Sequence, residues 1–300
     1  MKIDSYFACQ LNTVSDVPEP LRSTLMNNIH SQESVRLLIY TPTVSAIDES
    51  SPATVPPMAS DILIPATVLG VTNDGWIVVS EAEEGGASVE RSNFSDTLFL
   101  ELTSILLYGQ LRIDFASVGT SYSAIIRFNT VAEEFYRGAI DLMLDGTDKR
   151  HTPAAENDRA DDSILQAWPE QFRAEARRYR PKGQRLLAAT QWPAIIGGFR
   201  RELSPAGALL VTERELVLIT EERTSPRFHS GDLQKFGGII TYFPLVRLAD
   251  FHLGRHERFG VLALQAHAVH GGERLEIIFP ADHEKVISQA MEQVRAGIVA

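Results

Sequence analysis

The chain has 300 residues, 44% hydrophobic and 22% charged, the balance of a folded globular protein and not of a disordered or fibrous one. Its formal net charge of −11 lies wholly in the first half: residues 1–150 hold 9 Lys and Arg against 20 Asp and Glu, and residues 151–300 hold 19 against 19. That excess disfavours nucleic acid and anionic lipid as partners of the first half. No apolar run reaches the ~18 residues of a membrane span. The opening MKIDSYFACQ lacks the apolar core of a signal peptide, and the single cysteine, Cys9, rules out an internal disulfide. The expected location is the cytoplasm.

In chain order, Leu21, Leu25 and Ile29 form one stripe of a short helix, with Pro18 and Pro20 at its start. Val35–Tyr40 reads as a strand and Thr41–Ser60 as a Ser/Thr/Pro loop. Ala66–Glu81 reads as a hairpin and Glu81–Ser95 as an acidic loop. Thr97–Leu107, Leu111–Phe115 and Ser123–Phe128 follow as strands, punctuated by Gly109 and Gly119. Val131–Leu144 changes to helical period, with Phe135, Ala139, Leu142 and Met143 on one face. Asp145–Ser163 has the polar composition of a linker.

Beyond it, Ile164–Arg180 is a helix candidate with Ile164, Trp168, Phe172, Ala176 and Tyr179 inward. Pro169 breaks it or marks where its regular part begins. Arg185–Ala189 echoes Arg36–Tyr40. Ala208–Thr220 is a second hairpin, and Glu221–Gly238 a polar loop. Ile239–Phe251, Phe259–Ala268 and Arg274–Phe279 are strands. His283–Ala296 closes the chain as a helix, with Val286, Ile287, Ala290, Met291 and Val294 inward.

Two blocks repeat without a gap. Pro65–Ser80 (PATVLGVTNDGWIVVS) aligns with Pro205–Thr220 (PAGALLVTERELVLIT) at an offset of 140, and Phe128–Met143 aligns with Phe279–Val294 at an offset of 151. Repeated blocks in the same order, with loops absorbing the change of offset, are the signature of a duplicated domain. The expected fold class is β-rich α+β: two tandem antiparallel barrels, each closed by a C-terminal amphipathic helix. The boundaries are 1–144 for the first domain, 145–163 for the linker and 164–300 for the second.

The second half resembles the bacterial PH-like domains of the pleckstrin-homology superfold. The resemblance rests on Leu209–Leu216 (LLVTEREL) and on Glu276–Phe279, a strand ending in an aromatic before the last helix. It covers residues 170–297 well and 20–145 less well, since Gly75-Trp76 replaces the charged pair in the first copy. It implies a fold that binds phosphoinositides, peptides or other domains, without choosing among them.

Three constellations carry charge. Arg177, Arg178, Arg180, Lys182 and Arg185, continued by Arg200 and Arg201, form a basic run that begins at Arg173. Clustered guanidinium groups hold phosphate through charge-assisted hydrogen bonds, and the same run reads equally as a solvated helix face paired with the acidic first half. The resemblance places a lipid phosphate by the loop Gln191–Ser204, although the family's alternating Lys and Arg motif is not present there. His252, His256, His267 and His270 flank successive turns, which separates the two pairs along the strands. A two-His zinc site completed by Glu257 or Glu273 is the remaining metal reading. Asp141, Asp145, Asp148, Glu156, Asp158, Asp161 and Asp162 lack the spacing of a calcium loop and read as solvated carboxylates.

No nucleotide, nucleophile-elbow or zinc-protease motif is present, and Cys9 has no basic neighbour beyond Lys2. The expectation is a non-enzymatic binding or scaffolding protein, acting through protein–protein contacts or self-association. It has no catalytic residues, cofactor, metal, nucleic-acid partner or transmembrane segment. The alternatives are a peripheral binder of anionic lipid or phosphate through the Arg cluster, and a metal-dependent enzyme using the C-terminal histidines.

Overall fold

The computed structural model describes residues 7–43, 64–82, 85–148, 162–197, 202–221, 237–256 and 258–299. The described residues form antiparallel sheets with four α-helices, and the chain groups into two compact units. Unit 1 comprises Met1–Phe94, Leu107–Leu111 and Ala124–Gly146. Unit 2 comprises Ser95–Leu106, Arg112–Ser123 and Thr147–Ala300. No helix among the described residues is long and apolar enough to cross a membrane.

In unit 1, β1 (Cys9–Leu11), α1 (Leu21–Asn28), β2 (Val35–Thr41), β3 (Thr67–Thr72), β4 (Gly75–Glu81) and β5 (Ala87–Asn93) come first, and the five strands pair in sequence order. Leu21 and Leu25 of α1 pack with Leu38, Tyr40, Val68, Ile77 and Val79 in one core. α2 (Glu133–Thr147) follows the strands β6 (Thr97–Ile105), β7 (Tyr108–Ser117) and β8 (Thr120–Asn129). Its buried stripe is Tyr136, Ala139, Ile140, Met143 and Leu144, one residue round from the expected face, so Phe135 and Leu142 lie at its margin. Tyr136 stacks on Phe128 with centroids 3.9 Å apart, and its hydroxyl hydrogen-bonds Thr41 at 2.5 Å.

Unit 2 holds α3 (Glu170–Tyr179), β9 (Leu186–Trp192), the short pair β10 (Ile195–Ile196) and β11 (Glu202–Ser204), then β12 (Gly207–Thr212), β13 (Glu215–Glu221) and β14 (Gly237–Pro244). β15 (Leu248–Arg255), β16 (Phe259–Ala268), β17 (Gly271–Pro280) and α4 (Glu284–Val299) complete it. Leu209, Val211, Leu216, Leu218, Phe279, Ile287, Ala290, Met291 and Val294 share one core, joined by Leu98, Phe99 and Ala116. Val286, expected inward on α4, is 44% exposed.

The expected barrels do not close. Among the described residues four open sheets form instead, and the largest has the order β8-β7-β6-β14-β13-β12-β9. The cause is the pairing of β14 with β6 over six residues, from Gly237 opposite Ile105 to Tyr242 opposite Leu100. The edge of β14 that a barrel would have to cover takes its hydrogen bonds from β6. That pairing also groups Ser95–Leu106 with the second half of the chain, across the expected boundary at 144. Most of the expected linker, 149–161, lies outside the described residues, and Asp145–Thr147 closes α2.

Several local expectations change. Glu81–Ser95 is not all loop, because it contains β5, whose sequence ASVERSN shows no apolar alternation. Ile239–Phe251 is two strands separated by a 3-10 turn at Leu245–Arg247. Pro169 stands just before α3 and starts the helix instead of interrupting it. Ile164 is therefore exposed, and Leu165 is buried in its place.

The duplication runs much further than the two sequence blocks. β3–β4 and β12–β13 pair in identical register at the offset of 140, with Val71 opposite Trp76 and Val211 opposite Leu216. In each turn the threonine hydroxyl accepts from two backbone N–H groups. Asp74 and Gly75 donate to Thr72 at 3.3 and 3.1 Å, and Arg214 and Glu215 donate to Thr212 at 3.4 and 3.0 Å. Everything else matches at 151. β2 and β9 each carry a bulge at their equivalent second residue, Arg36 and Leu187, which corrects the sequence match of Arg36–Tyr40 to Arg185–Ala189 by two residues. α1 and α3 correspond as well. Arg22 pairs with Glu19 and donates to Ser15 O, while Arg173 pairs with Glu170 and donates to Gln166 O. Repeat 1 thus runs from α1 to α2, and repeat 2 from α3 to α4.

One contact in each repeat needs glycine. A Cβ on Gly109 would lie 2.3 Å from the Phe128 ring, and one on the equivalent Gly260 would lie 2.2 Å from the Phe279 ring. Each large aromatic seats on a backbone with no side chain in the way.

Candidate functional site

A duplicated fold supplies its own control. Where both repeats keep a residue type, the fold requires it. Where they diverge on the same backbone, the fold does not dictate the choice. The turn from α3 into β9 is the sharpest divergence in charge. Residues 177–185 (RRYRPKGQR) hold five Arg and Lys and no acid, while the equivalent 26–34 (MNNIHSQES) hold one Glu and no Arg or Lys. Glu33 is replaced by Gln184. In repeat 1 the Glu33 carboxylate accepts from Arg91 at 3.0 Å and from the His30 N–H at 2.8 Å. In repeat 2 the buried Gln184 oxygen accepts from the Thr212 hydroxyl at 2.7 Å.

α3 positions the cations. Phe172, Ala176 and Tyr179 face the core, so Arg177 and Arg178 face outward from the last turn, where positive charge complements the helix dipole. The Arg178 guanidinium lies 5.4 Å from the Tyr179 ring centroid. Arg185 reaches Glu213 at 3.2 Å, both exposed. Arg177, Arg180, Pro181, Lys182, Gly183, Gln184 and Arg185 line a shallow hollow of about 190 Å³. Five of the seven expected anion-binding residues are thus brought to one turn, while Arg200 and Arg201 lie outside the described residues. On the inner side of α3, Glu175 faces a second hollow with Arg178, Tyr179 and Ile240, and burial pushes its carboxyl above the usual carboxylate range.

A second polar constellation escaped the sequence reading. Arg112 and Asp114 alternate along β7, so they share a face. Asp114 is fully buried, and one carboxylate oxygen takes everything: Arg112 Nε at 3.0 Å, Arg112 Nη2 at 2.7 Å and the Ser123 hydroxyl at 2.5 Å. Its other oxygen, Oδ2, is buried with no hydrogen-bond partner. Burial raises the Asp114 carboxyl, against the pull of Ser123 and Arg112. Glu101 and Glu273 face the same group and are raised chiefly by burial. Burial alone would lower Arg112, and the three carboxylates outweigh it. The equivalent positions in repeat 2 are Ala263 for Arg112, Gln265 for Asp114, Arg274 for Ser123 and His252 for Glu101. The fold therefore does not need this buried charge, which costs desolvation wherever it occurs. The R-x-D spacing in a strand was the signal available in the sequence.

The histidines do not assemble. His252 lies on β15, His256 just after it, His267 on β16 and His270 in the β16–β17 turn, and Glu257 is outside the described residues. His270 Nδ1 lies 2.9 Å from Asp96 Oδ1, and Glu273 faces Arg112 instead. Among the described residues no three His, Cys, Asp or Glu side chains group as a metal set. Compared with models of known protein families and with curated protein sequences, the chain matches none.

Proposed function

We propose that the protein is a cytoplasmic, non-catalytic binding protein built as two pleckstrin-like repeats, and that it works through protein contact or self-association. Its working surface is the basic segment 177–185 of repeat 2. The observation that carries this reading is the divergence of charge on an equivalent backbone: five cations against a single carboxylate. Charge that the fold does not require, gathered at one turn, suits recognition of an acidic protein surface. The acidic first half of a second copy is one such surface. Single exposed ion pairs contribute under ~1 kcal/mol, so an array of this kind is what such a contact needs.

A second reading is favoured by the hollow itself. Arg177, Arg180, Lys182 and Arg185 line a concavity of about 190 Å³, a cluster of cations that suits a phosphate group on a lipid or a small molecule. One experiment separates the two. A fluorescent oligo-glutamate peptide and vesicles with and without phosphoinositide are titrated with wild type and with Arg177→Glu/Arg180→Glu/Arg185→Glu. Peptide binding that weakens at least ~10-fold in the variant, with no vesicle binding, supports protein contact, tenfold being ~1.4 kcal/mol. Vesicle binding alone moves the function to the lipid reading. Binding of neither probe, with a monomer at every salt concentration, overturns both.

A further inference from the structure

The pairing of β14 with β6 joins repeat 2 to repeat 1, from Gly237 opposite Ile105 to Tyr242 opposite Leu100. At the offset of 151, β14 is equivalent to β5 and β6 to β15. The counterpart of that pairing is β5 on β15. It would set Ala87 opposite Arg255, Ser88 opposite Gly254, Val89 opposite Leu253, Glu90 opposite His252 and Arg91 opposite Phe251. Among the described residues this counterpart is not formed: β5 ends one sheet, β15 ends another, and neither has a strand on its outer side. Burial tells the two pairs apart. Ile240 and Leu102, opposed in the pair that is made, are buried, and so are Tyr242 and Leu100. Their equivalents Val89, Leu253, Arg91 and Phe251 are only half-buried.

The two edges match in that register. Residues opposed across antiparallel strands point to the same face of the sheet. On β5, Val89 packs against the core of unit 1, while Ser88 and Glu90 are exposed. On β15, Phe251 and Leu253 pack against the core of unit 2, while His252 is exposed. The register therefore joins Val89 to Leu253 on the apolar face and Glu90 to His252 on the outer face, a carboxylate beside an imidazole. A slip of one residue would set Val89 against His252 or Gly254 and lose both matches. An open edge is a template for another strand, and every copy of the chain carries both partners of this pairing. We propose that the protein self-associates by strand addition, β5 of one copy on β15 of a second, in the register that β14 and β6 already use. This contact is separate from the basic segment 177–185. Backbone hydrogen bonds and the Val89–Leu253 pair hold it, so salt that screens the arginines leaves it in place.

The test is cysteine crosslinking between full chains, in a Cys9→Ser background that removes the natural thiol. Opposed residues of an antiparallel pair lie within disulfide reach. Glu90→Cys and His252→Cys change exposed positions, so both variants should fold. Mixed under mild oxidant, they should give crosslinked dimer several-fold faster than either variant alone. They should also outpace Glu90→Cys mixed with Asp250→Cys, an exposed position outside the register. A chain carrying both Glu90→Cys and His252→Cys is oxidised alongside. Sedimentation of the wild type at high salt should show the mass rising with concentration from one chain toward two or more. A monomer at every concentration, no excess of crosslink in the mixed pair, or a disulfide that closes only within single doubly substituted chains each overturns the proposal.

Discussion

Residues 26–34 and 177–185 are one backbone written twice. In both, a helix ends with its C-cap N–H bonded four residues back, to Leu25 O in one and Ala176 O in the other, and the chain turns into a bulged first strand. One copy presents a single carboxylate, Glu33, held by Arg91 and the His30 N–H. The other presents five cations around an amide. The shared part shows what the fold demands: the inward Leu21 and Leu25 or Phe172 and Ala176, the Arg–Glu pair at the helix start and the threonine-held hairpin. The difference isolates what is left for function.

The comparison can first be attacked at its shared core. Phe128→Ala and Phe279→Ala remove equivalent buried rings, and each should cost ~3–5 kcal/mol in denaturant unfolding. A large loss in one and none in the other would break the equivalence. Gly109→Ala and Gly260→Ala come next. Each pushes a methyl into its aromatic partner and should cost ~1–3 kcal/mol, measured in the same way.

Smaller effects sharpen the contrast. Glu273→Gln should stabilise the protein by under ~1 kcal/mol at pH 8, since it removes a carboxylate whose burial, with Asp114 beside it, outweighs the attraction of Arg112. The sign follows from the raised Glu273 carboxyl: wild type regains the difference as pH falls through that raised value, so the two melting curves should converge at acid pH. A variant advantage that grows with acid would contradict this. Smallest of all, Arg177→Glu with Arg180→Glu should leave the melting transition within ~0.5 kcal/mol, because neither side chain belongs to the core. A large loss would return the basic segment to a structural role.

Much of the fold is legible in the sequence, because an apolar hairpin around Thr72 or Thr212 and a closing amphipathic helix are periodic signals. The equivalence of α1 and α3 is also written there, as Pro18-Glu19 and Arg22 against Pro169-Glu170 and Arg173, but it is too short to stand out beside the longer blocks. β5 is invisible to periodicity, since Val89 is its one large apolar residue. The pairing of β14 with β6 is hidden for a different reason: a strand's pattern sets which face is buried, not which remote strand takes its edge. For the site, the sequence marks the Arg run, but only the register of the repeats reveals that Glu33 stands where Gln184 does. Asp114 reads as one more acid until burial and the three donors on a single oxygen set it apart.

The most direct test of the basic segment as the working surface is a two-dimensional amide NMR titration of the full chain with oligo-glutamate peptide at low salt. Shifts should be confined to residues 177–185 and their neighbours around Glu213, should disappear as salt screens the charges, and should leave 26–34 untouched. Equal shifts in 26–34, or shifts centred elsewhere on the chain with 177–185 unmoved, would contradict the account.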